Sequence, residues 1–161
     1  MILTPHLVFG AAVGSLAKNP FLAVALAFLS HYVLDMIPHA DYSINNIRAK
    51  QWQKIMPDCL KVFADFSLGI TLIFIFSGNQ PIVYISAFFS ILSDGFDLLS
   101  LFFKAGILTW HGKIHKEKVH SLSSENMAKI GKSNIKISLF WRILSQIAII
   151  VISVAIMATP A

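Results

Sequence analysis

Apolar positions in this chain gather into long runs divided by short polar breaks. A helical membrane span needs about 17–25 mostly apolar residues. Four segments reach that length: residues 20–37, 57–77, 81–103 and 137–158. Three of them open on proline (Pro20, Pro57, Pro81), which suits a first helical turn, where the missing N–H would be unpaired anyway. A shorter run, residues 5–17, holds Gly10 and Gly14 four apart. That spacing lets helix backbones approach closely in lipid, and the run also reads as an ordinary short or tilted span. The pattern predicts an all-α, polytopic membrane helix bundle of about five helices in a single domain, residues 1–161, made of four clear transmembrane spans plus a short N-terminal helix.

The breaks predict orientation. Gly78-Asn79-Gln80 is a tight uncharged turn, and the terminal Thr159-Pro160-Ala161 is also uncharged. Residues 38–56 carry Arg48, Lys50 and Lys54, and residues 104–136 carry seven lysines. Cytoplasmic loops collect Lys and Arg, so five crossings with a cytoplasmic N-terminus place both basic loops inside and leave only Lys18 on the opposite side. Trp52, Trp110 and Trp141 then fall near the inner interface, where amphipathic rings partition. Met1 to Val13 carries no Lys or Arg, so the first apolar stretch is expected to be retained rather than cleaved as a signal peptide.

Composition narrows the class. Of 161 residues, 56% are hydrophobic and 13% charged, against about 45–50% and 25% in soluble domains; the mean hydropathy is +0.70. So little charge cannot coat a soluble monomer, and so much apolar content excludes a disordered chain. The lone Cys59 excludes a disulfide framework and a cysteine-based zinc site. A net charge of +5 suits nucleic acid or an anionic membrane surface. The apolar excess decides for membrane lipids as partners, with no nucleic acid.

Against this background the ionisable residues inside the runs stand out, because charge in lipid is costly and faces a bundle interior or a wet cavity. They are His31 and Asp35, with His39 and Asp41 just beyond; Asp65; Asp94 and Asp97; and Arg142 with Gln146. In the orientation above, every acid among them lies within roughly 15 Å of the cytoplasmic face at 1.5 Å per residue. His6 sits near that face too, and His111, His115 and His120 fall in the second basic loop. The outer half has no acid and no histidine. The sorting predicts one polar site open to the cytoplasm.

Spacing suggests what the site holds. His31 and Asp35, four apart, share a helix face. His39 follows Pro38, which ends the helix, and can curl back over the same site. Asp94 and Asp97 share another face, with Gly95 leaving room for a backbone or ligand. Imidazole plus carboxylate suits a divalent metal such as zinc, manganese or iron. Plainer readings stand beside this one. His31–Asp35 is a simple ion pair, Asp65 pairs with Arg142, and His111 and His115 belong to a solvated lysine-rich face. Asp58 complements a helix N-terminus, and the thirteen Phe are lipid-facing bulk.

Ser30-His31-Tyr32-Val33-Leu34-Asp35-Met36-Ile37-Pro38-His39, with Asp41 two further on, resembles the His-x3-Asp element of the membrane-bound metal-dependent hydrolases, small inner-membrane proteins of bacteria and archaea. Asp94-Gly95-Phe96-Asp97 is similar to that family's Asp-rich element, although its usual form is Asp-x-Asp. His115-Lys116-Glu117-Lys118-Val119-His120-Ser121 is similar to its His-x4-His-Ser element, with Glu117 where the family has Gly. Pro5-His6-Leu7-Val8-Phe9-Gly10 resembles its N-terminal His near a Gly-rich helix. The His-x3-Asp helix is also locally similar to that of zinc-dependent phospholipases C.

The resemblance implies a metal-dependent hydrolase of the prokaryotic inner membrane acting at the cytoplasmic face on phosphoesters of lipids or lipid-linked molecules. It implies His6, His31, Asp35, His39, Asp94 and His120 as metal ligands, and Asp97 or Asp65 as the general base. Two other classes stay open. An ion or proton transporter would use the same intramembrane acids but needs polar groups at both ends. A non-catalytic scaffold would hold a closed structural metal or an ion-pair knot.

Overall fold

A computed structural model describes residues 1–103, 105–115 and 138–159. Among them there is no strand. The α-helices are α1 Leu3–Leu16, α2 Pro20–Met36, α3 Asn45–Arg48, α4 Met56–Ser77, α5 Pro81–Ser90, α6 Leu92–Phe102, α7 Gly106–Ile114 and α8 Leu139–Ala158. Boundaries follow local chemistry. The Asn19 side chain accepts from the Phe21 and Leu22 amides at the start of α2, satisfying N–H groups that have no intrahelical partner. Pro38 stops α2 after Ile37, and Gly78 ends α4 with φ +66°, a conformation other residues adopt at a steric cost.

α1 is the central helix, packed against α2, α4, α5 and α8. Its small residues permit this. A Cβ on Gly10 would lie 2.5 Å from the Ser90 Cβ, and one on Gly14 would lie 2.9 Å from the Ser86 Cβ, so α1 and α5 run antiparallel in near backbone contact. Leu7 lies over Gly69 of α4, while the Leu3 and Thr4 amides bond to Asp65. Leu3–Asp65 and Leu7–Gly69 share one offset of 62 residues, so α1 and α4 are parallel. α1 therefore starts nine residues into α4, about 14 Å along it, and the two helices finish level. Leu7, Val8, Ala11, Ala12, Ile73, Val83, Ala87 and Met157 form the core. Large apolar side chains also face outward, among them Phe21, Phe63, Phe74, Ile107 and Phe140. So much exposed apolar surface suits lipid rather than water.

The span count differs from the expected four. Two helices, α4 and α8, are long and apolar enough to cross a membrane, and α5 with α6 makes a third only if the pair is one span bent by 48°. α2, at 17 residues, extends about 25 Å, short of the roughly 30 Å hydrocarbon layer. Pro38 stops it early. α1, at 14 residues, is shorter still because it begins on Asp65, partway along α4. The expected run 81–103 bends at Ile91 with no proline there. Instead the His31 ring inserts beside the break and its Nδ1 bonds the Ser90 carbonyl at 2.9 Å, a recognised cause of helix kinks.

Candidate metal centre

Four side chains from three helices meet in the interior. His31, Asp35, Asp94 and His115 each offer one ligand atom, and these atoms all lie within 4.8 Å of one another. The C-terminal half of α2 supplies His31 and Asp35, the first turn of α6 supplies Asp94, and His115 caps α7. The Nε2 atoms of His31 and His115 face each other at 3.3 Å. Both also face Asp35 Oδ2, at 3.2 and 2.9 Å. Asp94 Oδ1 lies 3.7 Å from His31 Nε2. His31, Asp35 and His115 are fully buried, whereas the Asp94 side chain is 32% exposed and forms the open side of the cluster.

The far nitrogen of each ring is anchored. His31 Nδ1 donates to a backbone carbonyl, that of Ser90, which fixes the ring and turns Nε2 into the cluster. His115 Nδ1 bonds Asp97 Oδ2 at 3.0 Å. This carboxylate–imidazole arrangement is how metal-ligating histidines are oriented. Two imidazoles and two carboxylates suit zinc, manganese or iron. Burial pulls the His115 imidazolium toward the neutral form, but hydrogen bonds to Asp35 and Asp97 outweigh it and raise its pKa to about 9.

The other predicted residues take separate places. His6 stacks on His31 with ring centroids 4.2 Å apart, and its Nε2 is 3.2 Å from Asp35 Oδ1. The Met1 amine donates to that same oxygen at 2.8 Å. His39 is buried but turns to the Ile37 carbonyl at 2.7 Å and to Asp41 at 3.4 Å. Burial raises the Asp41 carboxyl, yet the His39 hydrogen bond and the Met1 amine hold it well below the usual range. Asp65 receives the Leu3 and Thr4 amides, the Thr4 hydroxyl at 2.6 Å and the Tyr42 hydroxyl at 3.2 Å. Its carboxylate thus caps α1, and burial together with this neighbour pushes the Tyr42 phenol up. His120 lies outside the described residues.

His115 is absent from the ligands expected from the sequence, because its lysine neighbours suggest a solvated face; the His-x4-His-Ser likeness, from which His120 was taken, was the signal that could have found it. His111, from the same turn of α7, accepts or donates at Tyr32 Oη, 2.8 Å away, and approaches Asp97 at 3.4 Å. Burial lowers its pKa against the pull of Asp97. Arg142 and Gln146 do structural work: with Ser145 they donate to the carbonyls of His39, Ala40 and Pro38, tying the segment after α2 onto α8.

Beside the cluster lies a cavity of about 650 Å³, lined by the α1 N-terminus, the 41–48 segment, α4 and α6, with Asp94 and Asp97 in its wall. No protein-family model, curated protein or solved structure matches this chain.

Proposed function

We propose that the chain is a membrane-embedded, metal-dependent hydrolase whose His/Asp site faces the cytoplasm and acts on phosphoesters of lipids or lipid-linked molecules. The observation that carries this reading is the convergence of two anchored Nε2 atoms on Asp35 Oδ2, with Asp94 completing the donor set beside a cavity. His31, Asp35, Asp94 and His115 would hold a divalent ion, which would supply a Lewis acid for a phosphoryl oxygen and lower the pKa of water toward about 7. His31 and His115 hold the donor geometry through Ser90 and Asp97. Asp97, which also lines the cavity, is the carboxylate positioned to take a proton from water. Asp65 is committed to the α1 amides, so that role passes from it to Asp97. The likeness to the membrane-bound metal-dependent hydrolases supports the same reading. The basic residues of the 38–56 segment would gather anionic substrate by long-range attraction.

A second reading has its own support. His115 bridges Asp35 and Asp97 at 2.9 and 3.0 Å, the geometry of a buried imidazolium knot in a scaffold. Elemental mass spectrometry on detergent-purified protein separates the two. Stoichiometric zinc, manganese or iron, lost in both His31→Ala and Asp35→Ala, is the expected result. No metal in the wild type after reloading would leave the ion-pair scaffold. With metal loaded, phospholipids and polyprenyl phosphates are the substrates to screen, and cleavage of none of them would remove the lipid phosphoester as substrate.

A further inference from the structure

The cavity beside the cluster exists because α1 starts late. The α1 N-terminus forms its floor, and α4 and α6 flank it without sharing a packed interface. Its walls are mostly apolar, with Ile2, Val62, Leu98 and Leu101 among them. At about 650 Å³ it matches the roughly 300–1,000 Å³ of small-molecule sites. Its lining carries three acids, Asp41, Asp94 and Asp97, and two cations, the Met1 amine, which is paired with Asp35 and Asp41, and Arg48. Arg48 is exposed and forms no ion pair among the described residues. Its place is fixed from below, because the Asp58 carboxylate accepts the Asn46 and Ile47 amides at 2.8 and 3.3 Å and so holds α3. An apolar cleft between helices, with the Arg48 guanidinium carried on a tethered turn at one wall and the His/Asp cluster at its end, suits an amphiphile whose anionic head meets Arg48.

We infer that this cleft binds a lipid with a phosphate headgroup, its chain between α4 and α6 and its phosphate on Arg48. Guanidinium suits phosphate because its planar fork gives two parallel charge-assisted hydrogen bonds. The inference deepens the hydrolase reading by giving its lipid substrate a binding cleft and a phosphate partner, and it rests on that reading only for what happens after binding.

The sole cysteine supplies a reporter that needs no turnover. Cys59 is free, exposed and part of the cavity lining, so an occupant shields it from a maleimide. The probes are lysophosphatidate, the monoacylglycerol with the same chain, and glycerol phosphate, each added to protein in an uncharged detergent. Lysophosphatidate is expected to bind about tenfold more tightly than the monoacylglycerol, a difference of about 1.4 kcal/mol, and to slow alkylation accordingly. Glycerol phosphate is expected to give no protection. Arg48→Ala should reduce lysophosphatidate to the level of the monoacylglycerol, while Arg48→Lys, which keeps the charge, retains a preference. Equal protection by the uncharged amphiphile, protection by glycerol phosphate alone, or an unchanged preference in Arg48→Ala would each overturn the inference. Shielding in a protein that holds no metal would leave the lipid site standing and remove the hydrolase. Metal and turnover without shielding would do the reverse.

Discussion

Asp97 can serve His115 in two ways, and its amide variant tells them apart. If it orients the ring through Nδ1, Asp97→Asn weakens metal binding by about 10–100-fold, the usual cost of losing an outer partner of a ligating histidine. Titration against a chelator of known affinity measures this directly. If it only accepts a proton from water, affinity stays and turnover falls. We expect the affinity loss, because the Asp97–His115 bond is already made at 3.0 Å. Asp65 gives the opposite pattern. Asp65→Ala strips the cap from two amides and one hydroxyl of α1, and should cost about 1–2 kcal/mol, the upper range for a lost helix cap. The thermal midpoint in detergent should drop while metal stoichiometry holds; loss of metal with an unchanged midpoint would show that Asp65 belongs to the site. At this scale the sequence marked the right kinds of residue. His31 and Asp35 were legible from their spacing of four on one face. The roles of Asp65 and His39 were not, since a capping carboxylate and a ligating one look alike until their partners across the chain are known.

The helices are joined by contacts that hydropathy does not register. Gly10 and Gly14 look interchangeable in sequence, but they meet different neighbours. Gly10 presses on Ser90, whose hydroxyl donates to the His6 carbonyl and whose own carbonyl receives His31. Gly14 presses on Ser86, one turn further from the cluster. Each Gly→Ala change overpacks the α1–α5 seam and should cost about 1–3 kcal/mol. Only Gly10→Ala should also weaken metal binding, by displacing the carbonyl that anchors the His31 ring. Equal metal affinity in the two variants would show that the seam and the site are uncoupled. The same physics explains why the expected run 81–103 is bent by 48°. Apolar content continues across Ile91, so periodicity shows no break there; the bend comes from an imidazole on α2. Arg142 and Gln146 were legible as polar groups inside an apolar run, with Asp65 as the expected partner of Arg142, but with Ser145 they donate to backbone carbonyls after α2.

Length alone makes α1 and α2 look too short to cross, yet the register of α1 on α4 points the other way. Parallel packing with an offset of 62 residues places Leu16 beside Gly78. The α1–α2 turn at Ala17–Asn19 then reaches the same end of the bundle as the Gly78–Gln80 turn, and α1 loses its missing length entirely at the other end, where the cavity and the His/Asp cluster lie. The molecule is thus shorter in the middle than at its rim, with a polar site sunk about 14 Å along α4 at 1.5 Å per residue. Cysteine labelling tests this arrangement. In a Cys59→Ser background, Lys18→Cys and Asn79→Cys should react with a membrane-impermeant maleimide from one side of sealed vesicles, and Lys50→Cys only from the other. Lys18→Cys reacting from the side of Lys50 would make α1 and α2 a re-entrant pair and break the register argument. The same experiment locates Lys18, the one basic residue that the charge rule leaves on the minority side. Its cost there is low because it sits in a turn beyond the apolar core, where a lysine can extend its ammonium to the interface.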